Sequence, residues 1–425
     1  MIVALAGVVA FGLLLAANWR VCSSAVYPGV AFAGIWLLEF ITQVFAQGVL
    51  YPISWAALAV FVIGASSFTA GAALAYRGGT RQDKPTASVS VQPEPGDAVI
   101  LWVFVALLIA GLPIYIDRLH QLTSAALFSP TFFFQVRYGL LEQAAILNRA
   151  PLVDNLVVLS SIFALSGYAL SDGARRQRVA AWSLVGLALV YNLLSAAKAG
   201  PIALVVALFA MHVLLRGQLR VLSLIVPFGI ILLLFGVVTV GRLGTDGQSI
   251  TLAQSLASTW EVFLSYFSGA PVGFSIYLDN PQWVPAVWSP WRFFERTANY
   301  FGNFFDVPDL HAHYVYVGPD MLFNTYTAYF SYYPPYGIGG VIGFMLALGM
   351  VCSWIYRRAL SLGLVWLVLY GILFEGIFMT IFNEHFMLSL NFILKLIVVV
   401  LLISGLRRQR WRRGKGPVGM SGAVS

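Results

Sequence analysis

Residues 98–116 read AVILWVFVALLIAGLPIYI, nineteen consecutive residues without a charged side chain. About 20 apolar residues in helical form cross the core of a bilayer, so this stretch predicts a transmembrane helix. The whole chain has the same character, because 60% of its 425 residues are hydrophobic and 10% are charged. An average soluble domain has about 25% charged residues. This composition excludes a soluble globule or a disordered chain, since neither hides so much apolar surface.

Stretches of this kind recur along the chain and predict an all-α polytopic membrane protein with about eleven transmembrane helices. Their approximate bounds are 1–17, 26–48, 54–76, 98–116, 152–171, 179–196, 200–215, 221–240, 337–356, 359–380 and 386–405. The first stretch lacks the positively charged region that opens a signal peptide, so we expect it to be a helix of the protein. Gly200-Pro201 separates the two closest stretches, and proline is tolerated in the first turn of a helix.

The distribution of Lys and Arg predicts the orientation. With every short basic turn and the tail RRQRWRRGK (407–415) in the cytoplasm, that side holds 17 of the 25 basic residues. The N-terminus is then outside and the C-terminus inside. The net charge of +8 is not gathered on a nucleic-acid-binding module, so no nucleic-acid partner is expected. Cys22 and Cys352 are predicted on the cytoplasmic side, far apart in sequence, and we expect neither a disulfide nor a cysteine metal site.

The predicted spans lie in residues 1–240 and 336–405. Four further segments are predicted to lie outside the membrane. Residues 77–97 predict a cytoplasmic linker, and 406–425 a basic cytoplasmic tail. Residues 117–151 predict an external segment with a helix on the membrane surface. Residues 241–335 form a predicted external loop of 95 residues with 23 aromatic side chains, in which LAQSLASTWEVFLSYFSGAP (252–271) has the pattern of an amphipathic helix.

Within the long loop, WVPAVWSPWRFFERTANYFGNFF (283–305) is dense in rings. One interpretation is an interfacial aromatic belt, which membrane proteins commonly have. The other is a sugar-binding surface on which Trp291 stacks against sugar rings. Arg292, Glu295 and Arg296, embedded among the rings, favour a polar ligand nearby.

Charged residues at membrane depth are costly and indicate function or pairing. Glu39 lies in the second span, with Gln43 and Gln47 on the same helix face, and that face is expected to look into the protein or a wet cavity. Glu375 lies in the tenth span and Lys395 in the eleventh. The structural alternative is a neutralising pair, Glu375–Lys395 or Glu39–Lys395.

Basic side chains on the predicted outer face suggest a clamp for a membrane-anchored diphosphate, with contact to lipid headgroups as the alternative. They are Lys198, Arg242, Arg118, Arg137, Arg292 and Arg296.

The late histidines are candidate bases. His311 and His313 lie in HAHYVYVGPD (311–320), and no third ligand stands at suitable spacing, so no metal site is predicted. A general base or an orienting donor is the functional interpretation, and ordinary loop histidines are the alternative. A second candidate is His385 with Glu384, and Asp306 and Asp320 are acidic alternatives.

Two stretches carry a resemblance to a known family. SAAKAGPIALVVALFAMHVLLRG (195–217) and NTYTAYFSYYPPYGIGGVIGF (324–344) resemble motifs of the bacterial oligosaccharide repeat unit polymerases, the Wzy-type O-antigen and capsule polymerases. The layout of spans with one long late outer loop is similar over nearly the whole chain. This chain departs from the family pattern at Lys198, where arginine is common, and lysine lacks the bidentate fork of arginine.

The resemblance implies a GT-C-like fold with a long periplasmic loop, in the bacterial inner membrane. It implies en bloc transfer of an undecaprenyl-diphosphate-linked glycan onto a second lipid-linked repeat unit, without metal or other cofactor. It also implies a chain-length regulator protein as a partner. The residues expected to act are His313 or His311 as base, the basic clamp around the diphosphate, and Asn324, Tyr326, Trp291 and Glu39 around the substrate.

Other functions remain open. O-antigen ligases share the donor and the layout and also have a histidine in the late loop, although the run NTYTAYFSYY favours a polymerase. A lipid-linked glycan flippase or another transporter is an alternative that the intramembrane charges support. A scaffold protein that docks through its aromatic loop is a third.

Overall fold

A computed structural model describes most of the chain. The described ranges are 1–77, 96–123, 152–195, 199–217, 252–283, 289–299, 314–319, 321–361 and 363–414, with short pieces between them.

Within these ranges the protein is almost entirely helical. The helices are α1 Ile2–Val21, α2 Pro28–Phe45, α3 Trp55–Arg77, α4 Asp97–Thr123, α5 Asn155–Ala169, α6 Arg175–Leu194, α7 Ala199–Arg216, α8 Leu252–Asp279, α9 Arg292–Ala298, α10 Tyr333–Ser361, α11 Leu364–Met379 and α12 Leu390–Gly414. A small antiparallel hairpin, β1 Val315–Gly318 with β2 Met321–Phe323, precedes α10. Short 3₁₀ turns occupy Leu152–Asp154, Pro281–Trp283 and Ala328–Ser331.

Among the described residues, eight helices are long and apolar enough to cross a membrane: α1, α2, α3, α4, α6, α7, α10 and α12. The apolar helices α5 and α11 are shorter. The predicted class, an all-α polytopic membrane protein, is therefore confirmed. The count of eleven spans stays a prediction, because apart from two isolated positions the stretch 221–240 lies outside the described residues.

Several bounds differ from the sequence prediction. Residues 117–123, predicted to open an external segment, continue α4 to Thr123. The predicted helix 252–271 is present but extends to Asp279 as α8. α12 runs to Gly414, so the first residues of the predicted tail 406–425 are helical. In α4 and α12 the helix continues past the end of its most apolar stretch, so hydropathy alone stops too early.

α8 belongs to the bundle itself. Phe274 packs against Phe61 of α3 with ring centroids 5.4 Å apart. Ser275 Oγ donates to Ser54 Oγ at the start of α3 at 3.0 Å. The described helix α8 of the aromatic segment 241–335 thus contributes to the buried core.

α11 is the most enclosed helix. It is apolar on all sides, and thirteen of its sixteen residues are buried. A helix that is hydrophobic all round is expected at the centre of a bundle. Its last turn and the segment that follows therefore sit at one end of the protein interior.

α3 and α10 approach closely through glycines. A side chain at Gly71 would overlap the carbonyl oxygen of Leu346, and one at Gly349 would overlap that of Phe68. Small residues allow two membrane helices to pack backbone against backbone. At the start of α10, Gly337 has φ 61°, where the chain turns before the straight part of the helix.

Gly349→Ala is expected to destabilise the protein by about 1–3 kcal/mol, because the added methyl group meets backbone atoms that cannot move aside independently. The matched control is Gly343→Ala in the same helix, where a methyl group has nothing within 4 Å. Thermal unfolding in detergent should show a lower midpoint for the first variant only. Equal midpoints would contradict the close packing of α3 and α10.

Candidate functional site

A cavity of about 200 Å³ lies where α5, α6, α7, α11 and α12 meet. Apolar side chains form most of its wall. The polar side chains on its lining are Ser161, Asn192, Glu375, His385 and Ser389. Concave sites with a few convergent polar groups are the usual places for ligands, which makes this the candidate site.

Glu375 and His385 face each other across this cavity. His385 Nδ1 lies 3.2 Å from Glu375 Oε1, and their side chains are 24% and 7% exposed. The contact is at ion-pair distance but outside hydrogen-bond geometry, and Glu375 Oε1 has no hydrogen-bond partner among the described residues. A buried carboxylate oxygen with unused acceptor capacity is a place where a ligand hydroxyl or a proton can bind.

The pKa of His385 reflects opposing influences. Burial alone would lower it, but the neighbouring carboxylates of Glu375 and Glu384 outweigh burial and raise it above its ordinary value. The charged imidazolium is thus favoured in the folded protein. His385 lies in the segment between α11 and α12, outside the membrane-spanning helices.

Glu384, next to His385, has a structural role in the turn before α12. It is fully buried. Its Oε1 accepts the backbone N–H groups of Phe386 and Met387 at 2.8 and 2.9 Å. Its Oε2 accepts that of Leu388 at 2.7 Å. The carboxylate is saturated by donors and shapes the turn before α12, so we do not assign it the role of a base.

Asn192 completes the polar wall on α6. Its Nδ2 donates to Ser161 Oγ at 3.0 Å and to the carbonyl of Ala188 at 2.8 Å. Gly200 packs against the Asn192 side chain, where a side chain at Gly200 would overlap the amide oxygen. The sequence analysis missed Asn192 and Ser161. An amide inside the apolar span 179–196 was the signal that could have found Asn192.

Lys395 does not pair with either carboxylate. Its Nζ donates to Asn155 Oδ1, at the start of α5, at 2.7 Å. The predicted pairs Glu375–Lys395 and Glu39–Lys395 are therefore wrong. α12 packs against α5, which brings Lys395 to Asn155, while Glu375 is occupied by His385.

Glu39 is enclosed between α2 and α8. It is fully buried, its Oε1 accepts Gln43 Nε2 at 3.0 Å, and its Oε2 accepts Ser268 Oγ at 3.5 Å. Gln43 Nε2 also donates to the carbonyl of Ser268 at 2.8 Å. Glu39 and Gln43 do face inward as predicted. Gln43 and exposed Gln47, but not Glu39, line a second cavity of about 550 Å³ between the start of α1 and the α2–α3 connection, in keeping with the predicted inward-looking helix face.

The other predicted substrate residues lie away from the cavity lining. Trp291, 43% exposed, donates from Nε1 to Tyr336 Oη at 2.8 Å. Tyr326 is buried and stacks on Phe330 with centroids 4.3 Å apart. Asn324 is partly exposed after β2.

The three described arginines of the predicted clamp differ in burial. Arg118 lies in α4 and is half-buried. Arg292 is buried and Arg296 is exposed, both on the short helix α9. Glu295 between them accepts a hydrogen bond from Ser289 Oγ at 2.6 Å.

Several predicted site residues lie outside the described part of the chain: His311, His313, Arg242, Lys198 and Arg137. Lys198 directly precedes Ala199, which lines the cavity together with Gly200. Within the described residues, no group of three or more His, Cys, Asp or Glu side chains is placed to hold a metal ion.

The fold and the cavity define a polytopic helical membrane protein with a polar site at the ends of five helices. No protein-family model, no curated protein and no solved structure matches the chain. The residues of the site and the motifs in the sequence are therefore what indicates its function.

The raised pKa of His385 predicts a pH-dependent stability. The ion pair with Glu375 contributes fully below the unfolded pKa of histidine, about 6.5, and its contribution is lost as pH rises through the raised folded value. Wild-type unfolding temperature should thus fall between about pH 6 and pH 9 by more than that of His385→Gln. His120→Gln, at the end of α4, serves as the control. Parallel pH profiles for the wild type and His385→Gln would show that the ion pair does not form.

Proposed function

We propose that the protein polymerises polyprenyl-diphosphate-linked oligosaccharide repeat units at the periplasmic face of a bacterial inner membrane. The observation that carries the proposal is the contact between buried Glu375 and partly exposed His385, 3.2 Å apart, in a cavity with a mostly apolar wall. The motifs at 195–217 and 324–344 support the same function. The first of these motifs contributes Ala199 and Gly200 to the cavity wall.

The proposed reaction is a glycosyl transfer with a diphosphate leaving group. The hydroxyl oxygen of the acceptor sugar attacks the anomeric carbon of the donor glycan and forms the new C–O bond. The bond between that carbon and the diphosphate oxygen breaks, and polyprenyl diphosphate leaves. The hydroxyl proton passes to the neutral form of His385, whose share grows as pH rises toward the raised pKa, and Glu375 stabilises the imidazolium that forms.

The leaving diphosphate needs positive charge placed in advance. Lys198 is the first candidate, because it adjoins the cavity residues Ala199 and Gly200 in the chain. Arg242 and Arg137 are proposed from sequence alone. Arg292 is buried, so exposed Arg296 is the better candidate of the two on α9 for contact with a soluble glycan or a headgroup.

The size of the cavity limits what it holds. Drug-sized ligands occupy pockets of about 300–1,000 Å³, and this cavity has about 200 Å³. It suits the reacting end of a glycan rather than a whole repeat unit. The rest of each glycan would lie outside, where exposed Trp291, with its ring fixed by Tyr336, offers a stacking surface.

His385→Gln is expected to abolish chain growth while the protein stays in the membrane, because the acceptor hydroxyl loses its base. The measurement is a gel of surface polysaccharide from a deletion strain that carries the variant, with an immunoblot of the membrane fraction. His120→Gln is the control and should give the normal ladder. A normal ladder from His385→Gln together with loss of the ladder from His313→Gln or His311→Gln would transfer the role of base to the HAHYVYVGPD segment.

Lys198→Ala is expected to abolish chain growth, and Lys198→Arg to retain most of it, because the positive charge near the diphosphate is what matters. The same gel reports both variants. Lys415→Ala, in the predicted cytoplasmic tail, is a control for the loss of one positive charge. Normal glycan chains from Lys198→Ala would remove Lys198 from the clamp.

A transporter is the second candidate, favoured by Glu39. This carboxyl group is fully buried among neutral groups, with no basic partner at ion-pair distance among the described residues. Buried carboxyl groups at membrane depth are typical of proton pathways. Vesicles with purified protein and lipid-linked repeat units discriminate between the two functions. Movement across the bilayer without lengthening favours transport, and lengthening favours the polymerase.

An O-antigen ligase would use the same donor with a different acceptor. Deletion of the gene separates the two enzymes. A polymerase deletion leaves a core with one repeat unit, whereas a ligase deletion removes all attached glycan and leaves long lipid-linked chains.

A further inference from the structure

The turn that carries His385 is fixed from two sides. From within, Glu384 accepts three backbone N–H groups of the turn, those of residues 386–388. From outside the turn, Tyr332 donates its hydroxyl to Glu384 Oε1 at 2.9 Å. Tyr332 and Glu384 are both fully buried. Among the described residues, the Tyr332 hydroxyl is thus the only donor to this carboxylate that comes from outside the turn.

Tyr332 is itself held in place. Its ring stacks on Phe344 of α10, with centroids 4.7 Å apart and an interplanar angle of 11°. The 3₁₀ turn before it is tied to the end of α11, because the N–H of Ala328 donates to the carbonyl of Thr380 at 2.9 Å. Tyr332 is therefore a fixed point from which Glu384 can be positioned.

The charged groups around His385 are few. α11 contributes Glu375, and the turn contributes Glu384. The other described elements around the cavity present neutral polar groups: Ser161 from α5, Asn192 from α6 and Ser389 just before α12. The imidazole therefore lies between two carboxylates, one facing it and one anchored beside it.

We infer that Tyr332 and Glu384 are positioning residues that hold the His385 imidazole against Glu375. The inference rests on the proposed function only in giving His385 the role of base. The contacts among Tyr332, Glu384 and the turn, here called the brace, do not depend on that function. A Glu384 carboxylate saturated by four donors does not take the proton of a substrate. Its position fixes the backbone on which His385 is carried.

The brace makes a prediction for the pKa of His385 in two variants. Glu384→Gln removes a negative charge beside the imidazole and should lower the pKa by about one unit or more. Tyr332→Phe keeps the charge of Glu384 but removes the contact that fixes it, so the imidazole is held less closely against Glu375 and its pKa should also fall. A charge effect without positioning would instead raise the pKa in Tyr332→Phe, because the lost donor offsets the charge of Glu384.

The measurement is an NMR titration of the full-length protein in detergent micelles, with ¹³C-labelled histidine. The His385 signal is assigned by its absence from His385→Gln. Tyr329→Phe is the matched control, since its hydroxyl donates to the carbonyl of Phe61 at 3.2 Å in the same segment and does not contact Glu384. Glu295→Gln controls for the loss of a carboxylate elsewhere.

The expected result is a lower pKa in Glu384→Gln and in Tyr332→Phe, and unchanged values in both controls. An unchanged or higher pKa in Tyr332→Phe overturns the inference, even where Glu384→Gln fails to fold. The titration needs no substrate, so its outcome is independent of the reaction. If the pKa of His385 shifts as expected but the protein transfers no glycan, the positioning role is supported and the proposed function is refuted.

Discussion

A polar group inside a hydrocarbon layer has to find its partner within the protein, and this constraint shapes the whole structure. The charged side chains within the described helices find such partners in different ways. Glu39 is enclosed by Gln43 and Ser268, which fastens α8 to α2. Lys395 reaches Asn155 and joins α12 to α5.

The same constraint operates at the two ends of the bundle. At the predicted cytoplasmic end, Arg407 of α12 makes a two-point contact with buried Asp97 at the start of α4, at 2.7 and 3.1 Å. At the opposite end of α12, Glu384 is saturated by donors, whereas Glu375 keeps one oxygen without a hydrogen bond. This difference separates a structural carboxylate from a candidate functional one, although only eight residues lie between them in the chain.

The sequence predicts the helices well, because the apolar stretch that crosses a bilayer is a local property. Ten of the eleven expected stretches coincide with helices of the described chain. The sequence predicts the partners of the charges poorly, because pairing depends on which helices touch. Lys395 was expected to neutralise a glutamate and instead binds an amide. α8 was expected only as an amphipathic helix of the predicted external loop, and the sequence did not show that its rings at Phe267 and Phe274 belong to the core. His385 and Glu375 were each recognisable as candidates, but their contact follows from a turn whose shape Glu384 sets, and no short motif encodes that.

We propose that the chemistry takes place at the ends of helices rather than in the long aromatic segment, because the cavity that holds Glu375 and His385 lies there. The most direct test is incubation of the purified protein, in vesicles, with a lipid-linked repeat unit. The lipid-linked products are then measured by mass spectrometry for the wild type and for His385→Gln. The account predicts a series of lipid-linked chains longer by whole repeat units for the wild type, with free polyprenyl diphosphate as the second product. It predicts only the starting unit for the variant. Unchanged repeat units from folded, correctly inserted wild-type protein would contradict it.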